Sequence, residues 1–363
     1  MAINLAAKYA KELANAFTLK SVVDGTTNKD YDFTGVKTLN VYTPVTQALS
    51  DYSRTGTSRY GTPTELQDTM QELILGKDRS FSITIDKGNN LEQMGAKEAS
   101  KILAMEMNEQ AIPEMDKYAL TKYIDYAGKL TALTAAPTSE TIAKLLSDGM
   151  VAMSNKNFPA ENRFIFIGWS YFGMLRLSNQ FIGVEALAKD ALVKGAIGTF
   201  MGAQVVVVPD SYLKKGSKQC YFLITQKNSV IQPKKVQDYF VKENPAGING
   251  SLLEGRFIYD AFVLGGRANG VYAAVAPNSQ QAEPEFSFST STKVNTITSA
   301  GADCIYYTTD GTDPRYSSTA VKAVGASAAV DASGLKDAVR FRAVAMKSTS
   351  FTSAVAEDVQ FIS

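Results

Sequence analysis

The side chains able to do chemistry are few and poorly placed for it. The 363-residue chain contains no histidine, which removes the commonest general base, the commonest zinc ligand and every Ser-His or Cys-His pair. Its two cysteines, Cys220 and Cys304, are far apart in sequence and too few for a disulfide framework or a CxxC metal site, so two free thiols are expected. GxxxxGK[ST], HExxH and GxSxG motifs are absent. The glycines of GGRANG read as a hairpin turn rather than a phosphate cradle. The triplet Asn249, Gly250 and Ser251 matches a glycosylation acceptor by chance, since the chain carries no secretion signal. Asp310 and Asp313, in DGTDP, could place two carboxylates on one loop, but backbone capping in an Asx turn outweighs a weak calcium site. No catalytic, cofactor-binding or metal-binding residue is assigned, no cofactor is implied, and an enzyme is not expected.

What remains is chemistry of contact. With a net charge of +1 and 45% hydrophobic residues, the chain is a globular protein of two or three domains, not a strongly basic nucleic-acid binder. Lys77, Arg79 and Lys87 surround a turn, where they would either pair with acids of a neighbour or stay solvated; each exposed pair is worth under about 1 kcal/mol, so many copies would be needed. Phe81, Ile83 and Ile85 alternate along SFSITID and line one side of a strand. Glu109 and Asp116 interrupt the apolar stripe of a long helix. These eight residues are the candidates for contacts between subunits.

The elements that must position them follow from periodicity. Residues 1 to 20 repeat Leu5, Tyr9, Leu13 and Phe17, as a short helix would. Ser21 to Arg59 reads as an extended arm, with VKTLNVYTPV its clearest strand. Tyr60 to Asn90 reads as a long hairpin with arms at Glu65 to Leu75 and Ser80 to Asp86 and a tip at Gly76 to Arg79; helix competes for the first arm. Leu91 to Ala127 is a helix on the spacing of Ile102, Met105, Ile112, Ala119 and Tyr123, bent or split at Pro113. From Lys129 to about Val236, helices alternate with buried strands (FIFIG, AQVVVV, YFLIT) in an α/β unit. A β-rich segment closes it. PNSQQAEPE, from Pro277, reads as a linker, and the strands EFSFS, VNTITS, CIYYTTD, AVKAV, VRFRAVAM and DVQFI beyond it make a separate all-β sandwich. No apolar run suggests a membrane span, and a cytoplasmic site of synthesis is expected.

In this order the arm, the hairpin, the helix with EMNEQAIPEMDKYALTKYI, the unit with GAIGTFMGAQVVVVPD and the segment LEGRFIYDAFVLGGRANGVYAA resemble the major capsid proteins of tailed bacteriophages with the HK97 fold. The resemblance spans about residues 1 to 277. It implies an α+β chain with an N-terminal arm and first P-domain strands at 1–59, an E-loop at 60–90, a P-domain spine helix at 91–128, an A-domain at 129–236 and P-domain return strands at 237–277. Residues 278–363 would be an Ig-like surface domain, since IYYTTDGTDPRYSS resembles the Ig-like domain that ends chitobiase-type enzymes and those appended to phage structural proteins. The resemblance further implies a virion shell assembled in a bacterial cytoplasm. Its partners would be copies of itself in hexamers and pentamers, a portal, a separate scaffolding protein, and packaged DNA held without sequence preference. Glycans at a host or environmental surface are a further partner class for the Ig-like domain, with no residue assigned; no membrane is implied. A chain that starts at Met1 and enters the arm directly implies no cleaved extension. An encapsulin-like compartment and a tail or adhesin protein with a glycan-binding domain are the alternatives.

Overall fold

The computed structural model describes residues 21–31, 33, 38–44, 49–57, 59–61, 65, 68–92, 98–177, 182–183, 196–335 and 337–362. The helix expected over residues 1 to 20 lies outside the described residues. Along the chain come β1 (Thr38–Pro44), β2 (Asp68–Ile74), β3 (Lys77–Asp86), α1 (Lys87–Glu92), α2 (Ala99–Glu106), a π turn at Met107–Ala111 and α3 (Ile112–Asp125). There follow β4 (Lys129–Ala132), α4 (Ile142–Ser154), β5 (Arg163–Gly168), α5 (Trp169–Arg176), β6 (Ile182–Gly183), β7 (Ala196–Phe200), β8 (Ala203–Val208), β9 (Lys214–Lys215), β10 (Lys218–Gln226), β11 (Val230–Ile231), β12 (Lys234–Glu243), β13 (Gly250–Tyr259), β14 (Phe262–Val263) and β15 (Val271–Val275). The last strands are β16 (Glu285–Ser289), β17 (Val294–Thr298), β18 (Cys304–Thr308), β19 (Val321–Val324), β20 (Ser327–Asp331), β21 (Asp337–Met346) and β22 (Ala356–Ile362). The chain divides into two compact units, one of residues 1–37, 75–263 and 267–280 and one of residues 38–74, 264–266 and 281–363.

In the first unit a mixed sheet runs β4-β15-β10-β5-β8-β7-β6, with β9 paired to β10. The unbroken apolar runs of β5 and β8 are parallel neighbours and buried on both faces, as their sequences predict. One face carries Ile165, Ile167, Val205, Val207, Phe222 and Ile224 under α4 and α5. The alternate residues Phe164, Phe166, Val206, Val208 and Leu223 are buried as well. β15 lies inside this sheet, parallel to β4 and antiparallel to β10. The return segment expected at 237–277 is therefore divided: β12 and β13 form a separate sheet with β3, and VYAAV completes the α/β sheet. Five buried apolar residues in a row have no face to expose, so they fit an interior position and not a return at an edge.

The long helix is real but composite. From Ala99 to Asp125 it extends about 40 Å at 1.5 Å per residue, interrupted by the π turn, in which the Ile112 N–H reaches Met107 O. Pro113 follows at once. Its ring has no N–H for the ladder and would crowd the carbonyl four residues back, and one extra residue in the preceding turn makes room. Residues 93–97 of the expected helix lie outside the described residues, and Lys87–Glu92 forms a short helix of its own.

The second unit contains the sandwich, with sheets β16-β17-β20 and β19-β18-β21-β22 over a core of Ile297, Ile305, Val330, Phe341 and Ala345. Strand β20, SAAVD, escaped the sequence reading because small residues hide its alternation. The same unit contains the β1–β2 ribbon, so the sandwich is not the isolated module expected. Nor is PNSQQAEPE a free tether throughout. Gln281 is buried, its N–H donates to Phe351 O at 2.8 Å, and its Nε2 donates to Ala300 O at 2.7 Å.

Candidate assembly interface

The expected hairpin of residues 60–90 does not form. β2 pairs with β1, from Thr38 opposite Ile74 to Pro44 opposite Asp68, while β3 pairs with β13, from Lys77 opposite Tyr259 to Asp86 opposite Gly250. Each arm has the right strand character and a different partner. The Glu65 to Leu75 segment is strand, not helix, over Asp68–Ile74.

This repairing changes what the candidate residues do. Ile85 is buried with Leu103 and Leu253, and Phe81 and Ile83 pack against that cluster with Ile102 of α2. Phe81 stands opposite Gly255, where any side chain would collide with its ring, and stacks on Phe257 with centroids 6.1 Å apart. The apolar side of SFSITID thus packs on its own chain, fully at Ile85 and in part at Phe81 and Ile83. Arg79 pairs with Glu114 (Nε to Oε1, 3.0 Å), and Lys77 Nζ sits 5.0 Å from the Tyr118 ring centroid. Lys87 opens α1, exposed, its N–H donating to Asn249 O.

Asp116 is only 2% exposed and is satisfied within the protomer: Val22 N–H and Ser21 Oγ each donate to its carboxylate at 2.8 Å. Burial raises its pKa despite those two hydrogen bonds. The segment Ser21–Asn28, expected as part of an extended arm, is held here, with Val22, Val23 and Thr26 buried and Asn28 N–H donating to Val230 O at 2.8 Å. Glu109, half-buried in the π turn, has an Oε1 without a hydrogen-bond partner among the described residues.

Apolar surface left uncovered lies elsewhere. On the β1–β2 ribbon Tyr42 is 61% exposed, and beyond it Leu49, Tyr52 and Tyr60 are exposed, Tyr60 by 85%. The tip that carries them is ordered by local bonds: Ser53 N–H donates to Arg59 O at 2.9 Å, Ser50 Oγ to Tyr60 O at 3.1 Å, and the Tyr52 and Tyr60 rings meet edge to face at 5.1 Å. On β12, an edge strand of the first unit, Tyr239, Phe240 and Val241 are likewise exposed. Among the described residues these large apolar side chains of the ribbon, its tip and β12 stay exposed, and exposed apolar clusters of this kind suit contact with another protein.

Sequence reasoning missed Asp260. It is buried and receives hydrogen bonds from Tyr118 Oη (2.9 Å), Gly76 N–H (2.8 Å) and Ala261 N–H (2.8 Å), tying α3 to the residue before β3. The signal was a lone acid in the apolar run RFIYDAFVL. By contrast, Asp310 and Asp313 do what capping predicts. Asp310 Oδ1 accepts from Thr312 N–H at 3.0 Å and Asp313 accepts from Arg315 N–H at 3.0 Å and its guanidinium at 2.8 Å. GGRANG, Gly265–Gly270, forms two short 3₁₀ turns with a kink between them at Arg267, and not a hairpin turn. No group of three or more His, Cys, Asp or Glu side chains placed to hold a metal, and no helix long and apolar enough to cross a membrane, occurs among the described residues.

Comparison with known proteins bears on the fold. A family model described as Fn3 associated matches residues 296–358, inside the sandwich. No curated protein matches the chain in sequence. Among solved structures, one from Mycobacterium phage Che8 superposes with a TM-score of 0.59 at 15% identity, covering 74% of this chain and 96% of that one. The capsid structure of the cyanophage P-SCSP1u gives 0.59 at 15% identity over 76% of this chain and 93% of its own. The mature capsid of bacteriophage PhiM1 gives 0.56 at 12% identity over 75% and 92%. The chain has the α+β HK97 capsid fold, and about a quarter of it lies outside those likenesses.

Proposed function

We propose that this chain is the major capsid protein of a tailed bacteriophage, a structural subunit without enzymatic activity that tiles into an icosahedral shell around double-stranded DNA. The observation that carries the reading is the likeness to chains of phage capsid structures over more than nine-tenths of their own length. The unfinished apolar surface supports it, because a closed lattice gives every copy a neighbour to cover it.

The E-loop role passes from residues 60–90 to the ribbon of β1 and β2, with the tip residues described between them. Leu49, Tyr52 and Tyr60 are the side chains that would lie across an adjacent subunit, and Tyr239 to Val241 a second contact. Of the eight contact candidates, Lys87 and Glu109 keep a role at a subunit boundary; the other six serve the protomer. The α/β unit is the A-domain, meeting its copies around five-fold and six-fold axes. Near-neutral charge fits a wall that encloses DNA without gripping it. A portal and a separate scaffolding protein complete the assembly, and the Ig-like domain faces outward, where glycans are its candidate ligands. The resemblance to phage heads favours this reading over a cellular compartment or a tail adhesin. Expression of the chain alone and with its neighbouring gene products, followed by negative-stain electron microscopy, tests it: closed shells are expected, and soluble monomers in every combination would refute it.

A further inference from the structure

The second unit joins two parts of the chain far apart in sequence, and the contact between them is built rather than incidental. The loop Asp310–Ser318 is stiffened from within. Asp313 O accepts from Tyr316 N–H and Ser317 N–H, both at 3.1 Å, and Gly311 N–H donates to Arg340 O of β21 at 3.0 Å. From this support Ser318 N–H donates to Met70 O of β2 at 3.2 Å. Tyr316 is buried, and it packs so close to Gly265 that a Cβ there would lie 2.6 Å from the Tyr316 Cβ. Gly265 N–H in turn donates to Gln71 Oε1 of β2 at 2.8 Å, and a Cβ on Gly266 would lie 2.5 Å from Thr43 Cγ2 of β1. Two adjacent glycines thus let the backbone wedge between the sandwich loop and the ribbon, with a cavity of about 310 Å³ left beside Thr69 and Thr312.

We propose that the loop Asp310–Ser318 is an intramolecular dock for the β1–β2 ribbon, and that the Ig-like domain thereby fixes the direction in which Leu49, Tyr52 and Tyr60 are presented to the next subunit. A two-stranded ribbon is marginally stable by itself, and a lever that must reach a neighbour gains from having its root fixed before assembly, because less ordering is left to be lost on binding. The dock stands on the contacts above; its role in presentation rests on the shell reading. The sandwich is therefore a working part of the assembly lever as well as a surface appendage.

Two variants of the full chain test this before assembly. Gly265→Val should raise amide exchange in Thr38–Pro44 and Asp68–Ile74 about tenfold, the equivalent of about 1.4 kcal/mol, while β17, β18 and β21 keep their protection. Unchanged ribbon exchange with an intact sandwich would overturn the dock. Should Gly265→Val fail to fold, the pair Met70→Cys and Ser318→Cys decides: it should close an intramolecular disulfide on mild oxidation, and failure to close it would overturn the dock. If the locked chain assembles as well as the parent, the presentation role stands. If it cross-links and only the parent forms shells, the dock stands and that role falls. If it cross-links and neither forms shells, the dock stands and the shell reading fails.

Discussion

Two stretches of this chain carry the same kind of alternating text and meet opposite fates. SFSITID, in β3, turns Phe81, Ile83 and Ile85 onto α2 and β13 of its own protomer. TLNVYTP, in β1, with the tip that follows it, leaves Tyr42, Leu49, Tyr52 and Tyr60 in solvent. Alternation states that one side of a strand needs cover; it does not state whose. The difference comes from what lies within reach. β3 runs directly into α1 and lies against a strand and a helix of the same unit, whereas among the described residues the hydrogen bonds of the ribbon tip are to the tip itself. In the proposed shell, a subunit needs the second kind of strand for its neighbours and the first for its own stability.

The largest expected effect breaks the comparison at the ribbon. Replacing Leu49, Tyr52 and Tyr60 together by Ser should abolish closed particles, scored by electron microscopy. The soluble protomer should keep its melting temperature, because exposed substitutions cost within about 0.5 kcal/mol each. The mirror experiment is Phe81→Ala, which should lower protomer stability by about 2 kcal/mol in chemical denaturation, through lost burial and the space left over Gly255. Assembly would then suffer only as far as folding does. If Phe81→Ala left stability untouched and removed particles, the two strands would have exchanged roles.

A smaller effect sharpens the account of the docking loop. Burial alone would raise the pKa of Asp313, but the hydrogen bonds and charge of Arg315 outweigh it and hold the carboxyl below its ordinary 3.8. A lowered folded pKa means the contribution is complete above the unfolded value and is lost as pH falls through the folded one. Thermal stability of the second unit should therefore decline below about pH 4, and Asp313→Asn should flatten that decline while lowering stability at neutral pH. The smallest effect is expected for Arg79→Ala: the pair with Glu114 is exposed on both sides, and the change should be under about 0.5 kcal/mol. A large loss of assembly from that variant would return Arg79 to the subunit boundary where sequence reasoning first placed it.

Much of the fold was legible because its signals are local. The valines of β8, the FIFIG of β5, the stripe of α3 and six of the seven sandwich strands each declare themselves within a few residues. Pairing did not, because a strand's partner is set by three-dimensional proximity. Nothing in EGRFIY says that it will take β3 from the residues just before it and leave β2 to β1. Asp116 was legible as an anomaly and misread as a contact, since one sequence cannot say whether a buried acid meets its own backbone or a neighbour's. Asp260 was overlooked because a single acid within an apolar strand reads as a break in pattern, when it is the group that receives Tyr118 and Gly76.

The central claim is that the ribbon tip is finished only by another copy. Hydroxyl-radical footprinting of Leu49, Tyr52 and Tyr60, compared between the soluble protomer and purified particles, measures this directly. The account predicts strong labelling in the protomer and near-complete protection in the particle, with the buried Ile85 protected in both; equal labelling of the tip before and after assembly would contradict it.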